Sequence, residues 1–140
     1  MGNMLKINKK GNLQKILIVD DDIQHSKIIK ELLEKCDTPY EVICANNGLE
    51  CLELLDRFSL DNITLPNLIL LDIMMPVMDG WETFRHLRKN STYKNIPIIF
   101  FSARKDYFSK RYEGLFGTDF IEKPYDVDNL FEKIRNTIHN

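Results

Sequence analysis

The sequence predicts an α/β domain: a five-stranded parallel sheet, doubly wound, with five helices over its two faces. Three observations lead there. Apolar runs of strand length alternate five times with helical patterns, and little lies between them. The first, third and fourth runs are apolar throughout, as strands covered on both faces are. The polar residues able to do chemistry stand just after the runs, on the carboxyl edge where open α/β sheets place their sites.

Lys15 to Val19 is the first strand, and Asp20-Asp21-Asp22 follows it, with Asp22 suited to cap the next helix. Ile28, Ile29, Leu32 and Leu33 mark that helix by their spacing. Glu41 to Ala45 is the second strand, and Leu49, Leu52, Leu54 and Leu55 mark the second helix. The Ser59 to Asn67 connection is oversized; its Asp61-Asn62 and Pro66-Asn67 form turns, and it is expected away from the site. Leu68 to Leu71 is the third strand, ended by Asp72, with Trp81, Phe84 and Leu87 on the third helix. Ile96 to Phe101 is the fourth strand, ended by Ser102, and Tyr107, Phe108, Tyr112 and Leu115 mark a fourth helix. Phe120-Ile121 is a short fifth strand before Lys123-Pro124, and Val127, Leu130, Phe131, Ile134 and Ile138 mark the last helix. Right-handed crossovers join the parallel strands.

At 140 residues and 44% hydrophobic content the chain is long enough to bury one real core, and no repeat or second domain is visible. Residues 1–13 are polar and lysine-bearing, so a flexible N-terminal arm is expected before a domain over 14–140. The net charge of -2 argues against direct nucleic-acid binding. No apolar stretch reaches the roughly 18 to 20 residues of a membrane span, and the N-terminus lacks the apolar core of a secretion signal, so a cytoplasmic protein is expected. Lys6 stands where a myristoylation signal needs Ser or Thr. Cys36, Cys44 and Cys51 are odd in number and lack CxxC spacing, which suits small buried hydrophobes in a reducing compartment.

The chemistry gathers around Asp72. A buried strand delivers this carboxylate to the sheet's rim, and the first strand delivers Asp20 and Asp21 to the same edge. Their mutual repulsion must be offset, and a divalent cation is the usual means. With no His or Cys at these strand ends, the hard oxygen donors suit Mg2+, or Mn2+, better than zinc.

Several separated motifs, each on its expected element, resemble the receiver domain of two-component response regulators: Ile18-Val19-Asp20-Asp21, Leu71-Asp72-Ile73-Met74-Met75-Pro76, Asp79-Gly80, Ser102-Ala103 and Lys123-Pro124. The resemblance spans about Gln14 to Ile138 and implies a flavodoxin-like sheet of strand order 2-1-3-4-5. It implies that Asp72 accepts a phosphoryl group from a histidine kinase or histidine phosphotransfer protein. Asp20, Asp21, Asp72 and the backbone carbonyl of Met74 would then hold Mg2+. A cis peptide before Pro124 is implied as well.

Phosphoryl transfer asks a site for charge neutralisation and in-line alignment more than for covalent help. Three carboxylates are balanced by Mg2+ and Lys123. Lys123 would meet one phosphoryl oxygen as a point charge and Ser102 would donate its hydroxyl to another. Two such charge-assisted bonds, at about 1.5 to 3 kcal/mol each, reach the roughly 5.5 kcal/mol that inverts a 1:99 equilibrium. By the resemblance, Ser102 and Phe120 relay the change to the surface of the fourth helix, fifth strand and fifth helix. Arg104, Tyr107, Tyr112 and Tyr125 are the expected contact residues there. Met74 and Arg104, each two residues beyond a site residue, are expected to shield the acyl phosphate and prolong its life.

Plainer readings stand beside these. Asp20 and Asp21 could simply cap a helix, Lys123-Pro124 could be an ordinary turn, and Met74, Met75 and Met78 are read as loop and packing residues. His25, His86 and His139 are expected to face solvent without a role. A Mg2+-dependent aspartyl-phosphate phosphohydrolase of the haloacid-dehalogenase type is the enzyme alternative, but it would need a general acid where Met74 stands. A receiver-like interaction module that is never phosphorylated is the third reading. No effector domain follows within the sequence, so output is expected through a downstream protein target or onward phosphotransfer. A monomer is expected, with a phosphorylation-linked dimer as the alternative.

Overall fold

The computed structural model describes residues 13–102 and 119–139, with the backbone alone for Ser102. Within them β1 (Lys15–Val19), α1 (Ile23–Lys35), β2 (Glu41–Ala45), α2 (Gly48–Leu60), β3 (Leu68–Asp72), α3 (Gly80–Lys89), β4 (Ile98–Ser102), β5 (Asp119–Glu122) and α4 (Val127–Ile138) follow one another. The strands form one sheet in the order β2-β1-β3-β4-β5, parallel at every pairing. This is the expected order. The described residues hold four helices; the expected helix over Tyr107 to Leu115 lies outside them.

The sheet is covered on both sides because successive side chains of a strand point to opposite faces. Leu17, Val19, Ile69, Leu71, Ile98, Phe100 and Phe120 join the helical residues Cys51, Leu55, Phe84 and Leu87 in one core. Their neighbours Ile16, Ile18, Leu68, Leu70, Ile99, Phe101 and Ile121 pack on the other face with Ile29, Leu33, Leu130 and Ile134. Each residue of β1 and β3 therefore lies inside. The unbroken apolar runs follow from this two-sided burial.

All four helices begin with a side-chain cap: Asp22 accepts from the His25 amide, Asn47 from Glu50, Asp79 from Glu82 and Asp126 from Asp128. Such a cap contributes about 1 kcal/mol each by satisfying an otherwise orphaned donor. The helical faces differ in detail from the apolar spacing. Ile28 and Leu49 are exposed, while Cys51 and Phe58 supply the buried contacts of α2. Of the cysteines only Cys51 is fully buried. β4 begins at Ile98 rather than Ile96, since Ile96 closes a turn on Tyr93 and Pro97 has no amide to give the ladder.

The long connection is shorter than its composition suggested, because α2 continues to Leu60. What remains lies at the amino ends of β1 and β3, opposite Asp72, as expected. Asn67 exchanges bonds with the Lys15 backbone, its Oδ1 accepting from Lys15 N at 2.8 Å and its amide donating to Lys15 O at 2.8 Å. The buried Lys15 ammonium donates to Thr64 O at 2.6 Å. No helix among the described residues is long and apolar enough to cross a membrane.

Candidate functional site

Three strand ends converge because the sheet order places β1, β3 and β4 side by side, with β5 next to β4. Asp20 leaves β1 with its amide on Ala45 O at 3.1 Å, and its side chain is fully buried. Asp72 is the last residue of β3 and is 7% exposed, whereas Asp21 faces solvent. Ligand oxygens of Asp20, Asp21 and Asp72 lie within 4.8 Å of one another. Lys123, directly after β5, reaches in from the far side: its Nζ lies 3.3 Å from Asp20 Oδ2 and 3.5 Å from Asp72 Oδ2. The Lys123-Pro124 peptide is cis, as the motif implied.

The Asp79-Gly80 pair explains how α3 can begin so close to this edge. Gly80 donates to Ile73 O at 2.8 Å, and a Cβ at Gly80 would stand 2.4 Å from the Asp72 carbonyl oxygen. Only glycine permits that approach. Between Asp72 and Asp79, Val77 is held at φ 70, a left-handed conformation that β-branched residues avoid. The loop beside Asp72 is therefore strained.

The two buried carboxylates are driven apart electrostatically. Burial pushes Asp72 up to about 6, with the charge of Asp20 adding to it and Lys123 and the Met74 amide opposing. Burial acts the same way on Asp20, but hydrogen bonds from His25 and the Asp22 amide, with Lys123, outweigh it and hold Asp20 at about 2. Asp20 is the settled charge of the pair and Asp72 the one poised to change.

The structure thus brings together Asp20, Asp21, Asp72 and Lys123. Met74 projects into solvent, 62% exposed, while Met75 is buried. Phe120 lies in the core beneath, paired with Phe100 across the β4–β5 ladder. The backbone of Ser102 ends β4 opposite Glu122. The Ser102 side chain, Arg104, Tyr107 and Tyr112 lie outside the described residues.

One expectation is overturned. His86 and His139 are exposed, but His25 turns into the site. Its Nδ1 lies 2.6 Å from Asp20 Oδ2 and its Nε2 lies 2.7 Å from the Tyr125 hydroxyl. Position on a helix did not reveal this, because the first turn of α1 starts at the strand-end edge and its inner side faces the carboxylates. The signal available was a hydrogen-bonding ring five residues after Asp20. Tyr125, expected as a surface contact, is half-buried for the same reason.

A response regulator receiver domain model matches residues 16–135. The chain is 38% identical over 127 residues to the probable transcriptional regulator ycf29 of Pyropia yezoensis, covering 89% of this chain and 53% of that one. It spans about half the length of such curated relatives. Among solved structures it is similar to the phosphorylated cyanobacterial phytochrome response regulator RcpA, at TM-score 0.74 and 26% identity over 91% of this chain and 95% of that one. It is also similar to the Mn2+-bound form of the response regulator Rcp1, at TM-score 0.71 and 25% identity over 88% of this chain and 90% of that one.

Proposed function

Because the chain belongs to the response regulator receiver domain family, we propose that its domain over 14–140 is a phosphoacceptor switch with Asp72 as the acceptor. The family consists of signalling domains rather than ordinary enzymes, with an acidic pocket for Mg2+ or Mn2+. The observation that carries the reading is Lys123 Nζ set between Asp20 and Asp72, at 3.3 and 3.5 Å, beside three gathered carboxylates. A core packed for stability alone would not bury these charges together.

The donor set fits a hard cation, since Asp20, Asp21, Asp72 and the Met74 carbonyl all offer oxygen. When bound, Mg2+ supplies the positive charge that favours ionised Asp72 and an incoming anionic phosphoryl group. An Asp72 carboxylate oxygen forms the new bond to phosphorus while the donor's imidazole nitrogen leaves with its bonding electrons. Lys123 then exchanges its carboxylate partners for a phosphoryl oxygen, and Ser102 donates its hydroxyl to another. Phe120 and the surface from the Tyr107 segment through β5 to α4 carry the change outward.

A histidine kinase or phosphotransfer protein is the donor and a protein the target, with no direct nucleic-acid contact. The site acts in the cytoplasm, in a chain that is monomeric before phosphorylation. RcpA in its phosphorylated form and Rcp1 in its Mn2+-bound form are relatives whose states support this reading. Met74, exposed beside Asp72, and Arg104 shield the acyl phosphate; unchanged decay in Met74→Asn and Arg104→Ala would remove that part. Incubation with Mg2+ and acetyl phosphate should add a single acid-stable, base-labile phosphate that Asp72→Asn lacks. Labelling that survives Asp72→Asn, or sustained turnover of the donor, would refute the switch.

A further inference from the structure

Asp20 carries more hydrogen bonds than a metal ligand needs, and their source is unusual. Its Oδ1 accepts from the Asp22 amide at 2.9 Å. Its Oδ2 accepts from His25 Nδ1 at 2.6 Å and from Lys123 Nζ at 3.3 Å. An ionised carboxylate only accepts, so Nδ1 carries the proton of the shorter bond. The other ring nitrogen meets the Tyr125 hydroxyl at 2.7 Å. Tyr125 keeps its proton, because burial and the nearby Asp20 charge push it up to about 12.

The ring is fixed by packing as well as by polar bonds. Phe101, one residue before the end of β4, meets it edge-on at 5.4 Å, and the Tyr125 ring meets it at 5.6 Å. Phe101 and Tyr125 also pack on each other at 5.5 Å. One imidazole thus joins the carboxyl end of β1, the end of β4 and the segment two residues beyond Lys123. A surface histidine would be free to leave; this one has both nitrogens engaged and 17% of its side chain exposed.

We propose that His25 is a positioning residue for Asp20, holding the carboxylate in its metal-ligating orientation and tying it through Tyr125 to the segment that carries Lys123. The inference rests on the phosphoacceptor reading and adds what that reading lacks. Lys123 has to give up Asp20 when it turns to a phosphoryl oxygen, which removes one of the two donors on Oδ2. His25 remains on Oδ2 at that moment, so Asp20 stays satisfied and stays in place. Histidine ordinarily orients a metal from the inner coordination sphere; here it acts one atom farther out, as outer partners of ligating groups do.

Mn2+ binding measured by calorimetry or by electron paramagnetic resonance tests this without any phosphodonor. His25→Leu, which keeps bulk but no donor, should weaken Mn2+ binding about tenfold, at the lower end of what loss of an outer partner costs. His25→Asn, whose amide nitrogen can stand near the position of Nδ1, should restore most of the affinity. Tyr125→Phe should give a loss smaller than His25→Leu. Near-ultraviolet circular dichroism of each variant establishes that it is folded before titration, and His25→Phe, which keeps a ring but no donor and carries the same expected loss, serves if His25→Leu is not. Mn2+ affinity in folded His25→Leu within twofold of the parent chain overturns the proposal. So does a His25→Asn as weak as His25→Leu, which would mean ring packing and not the hydrogen bond matters. The acetyl phosphate assay separates the two claims: failure of the parent chain to label refutes the switch while leaving the Mn2+ comparison intact.

Discussion

Replacing Asp72 by Asn should make the metal-free protein more stable, although it removes the group on which the proposed function depends. The folded-state value of Asp72 is raised from 3.8 to about 6. The folded chain therefore binds this proton more tightly than the unfolded chain, and the ionised carboxylate works against folding. Its penalty is full above about pH 6, shrinks as the carboxyl protonates, and is gone below 3.8. Roughly two pH units at about 1.4 kcal/mol each set an upper value of about 3 kcal/mol at pH 7. The neutral amide of Asn avoids that cost, in which the attraction of Lys123 is already counted; less complete hydrogen bonding of the buried amide leaves about 2 kcal/mol as the expected gain. Urea denaturation in EDTA reads it directly: at slopes of about 1 to 3 kcal/mol per molar, the midpoint should rise by about 1 M. At pH 4.5 the difference should fall to about a third of this. Added Mg2+ should stabilise the parent chain with the logarithm of its concentration once that exceeds Kd, and the variant much less, closing the gap from the other side. An Asp72→Asn protein no more stable than its parent in EDTA at pH 7, or a gap that does not depend on pH, would refute the electrostatic account of this site.

Three further outcomes follow from the packing around the same edge. Val77→Gly relieves a left-handed β-branched residue at φ 70; strain of about 1 to 3 kcal/mol less the added chain entropy leaves a gain of about 1 kcal/mol, measurable as a rise in melting temperature. Gly80→Ala drives a Cβ to within 2.4 Å of the Asp72 carbonyl, so a loss of about 1 to 3 kcal/mol or more is expected in denaturation, together with weakened Mn2+ binding as the end of β3 shifts. The Cys51 thiol is pushed up to about 12 by burial, so a thiol reagent should label Cys36 and Cys44 in the native chain and reach Cys51 only after unfolding.

Much of the architecture could be read from residue order because it depends on local periodicity. Apolar runs at Lys15 to Val19 and Leu68 to Leu71 can be satisfied only by a strand covered on both faces, and such strands imply helices between them. Asp20, Asp72 and Lys123 stood out for a related reason: a charge directly after a buried strand has one edge on which to emerge. The capping role of Asp22 was visible too, since a cap acts within three residues of itself. His25 was not visible. Its importance comes from Asp20, five residues earlier, and Tyr125, a hundred residues later, and periodicity carries no information about partners that distant. Nor did spacing show that Ile28 would be exposed while Phe58 is buried, because the width of an apolar face is set by what packs against it.

The sequence by itself therefore determined the kind of sheet, the edge that bears the charges and the residue types that meet there. Tertiary structure decided how those charges share their partners. Two aspartates with the same side chain end with opposite shifts, Asp20 at about 2 and Asp72 at about 6. The physical reason is that burial raises both, and only the placement of His25 and the Asp22 amide against one of them reverses it. That placement depends on three strand ends and a helix start meeting within a few ångströms, which is a property of the folded chain and of no segment within it.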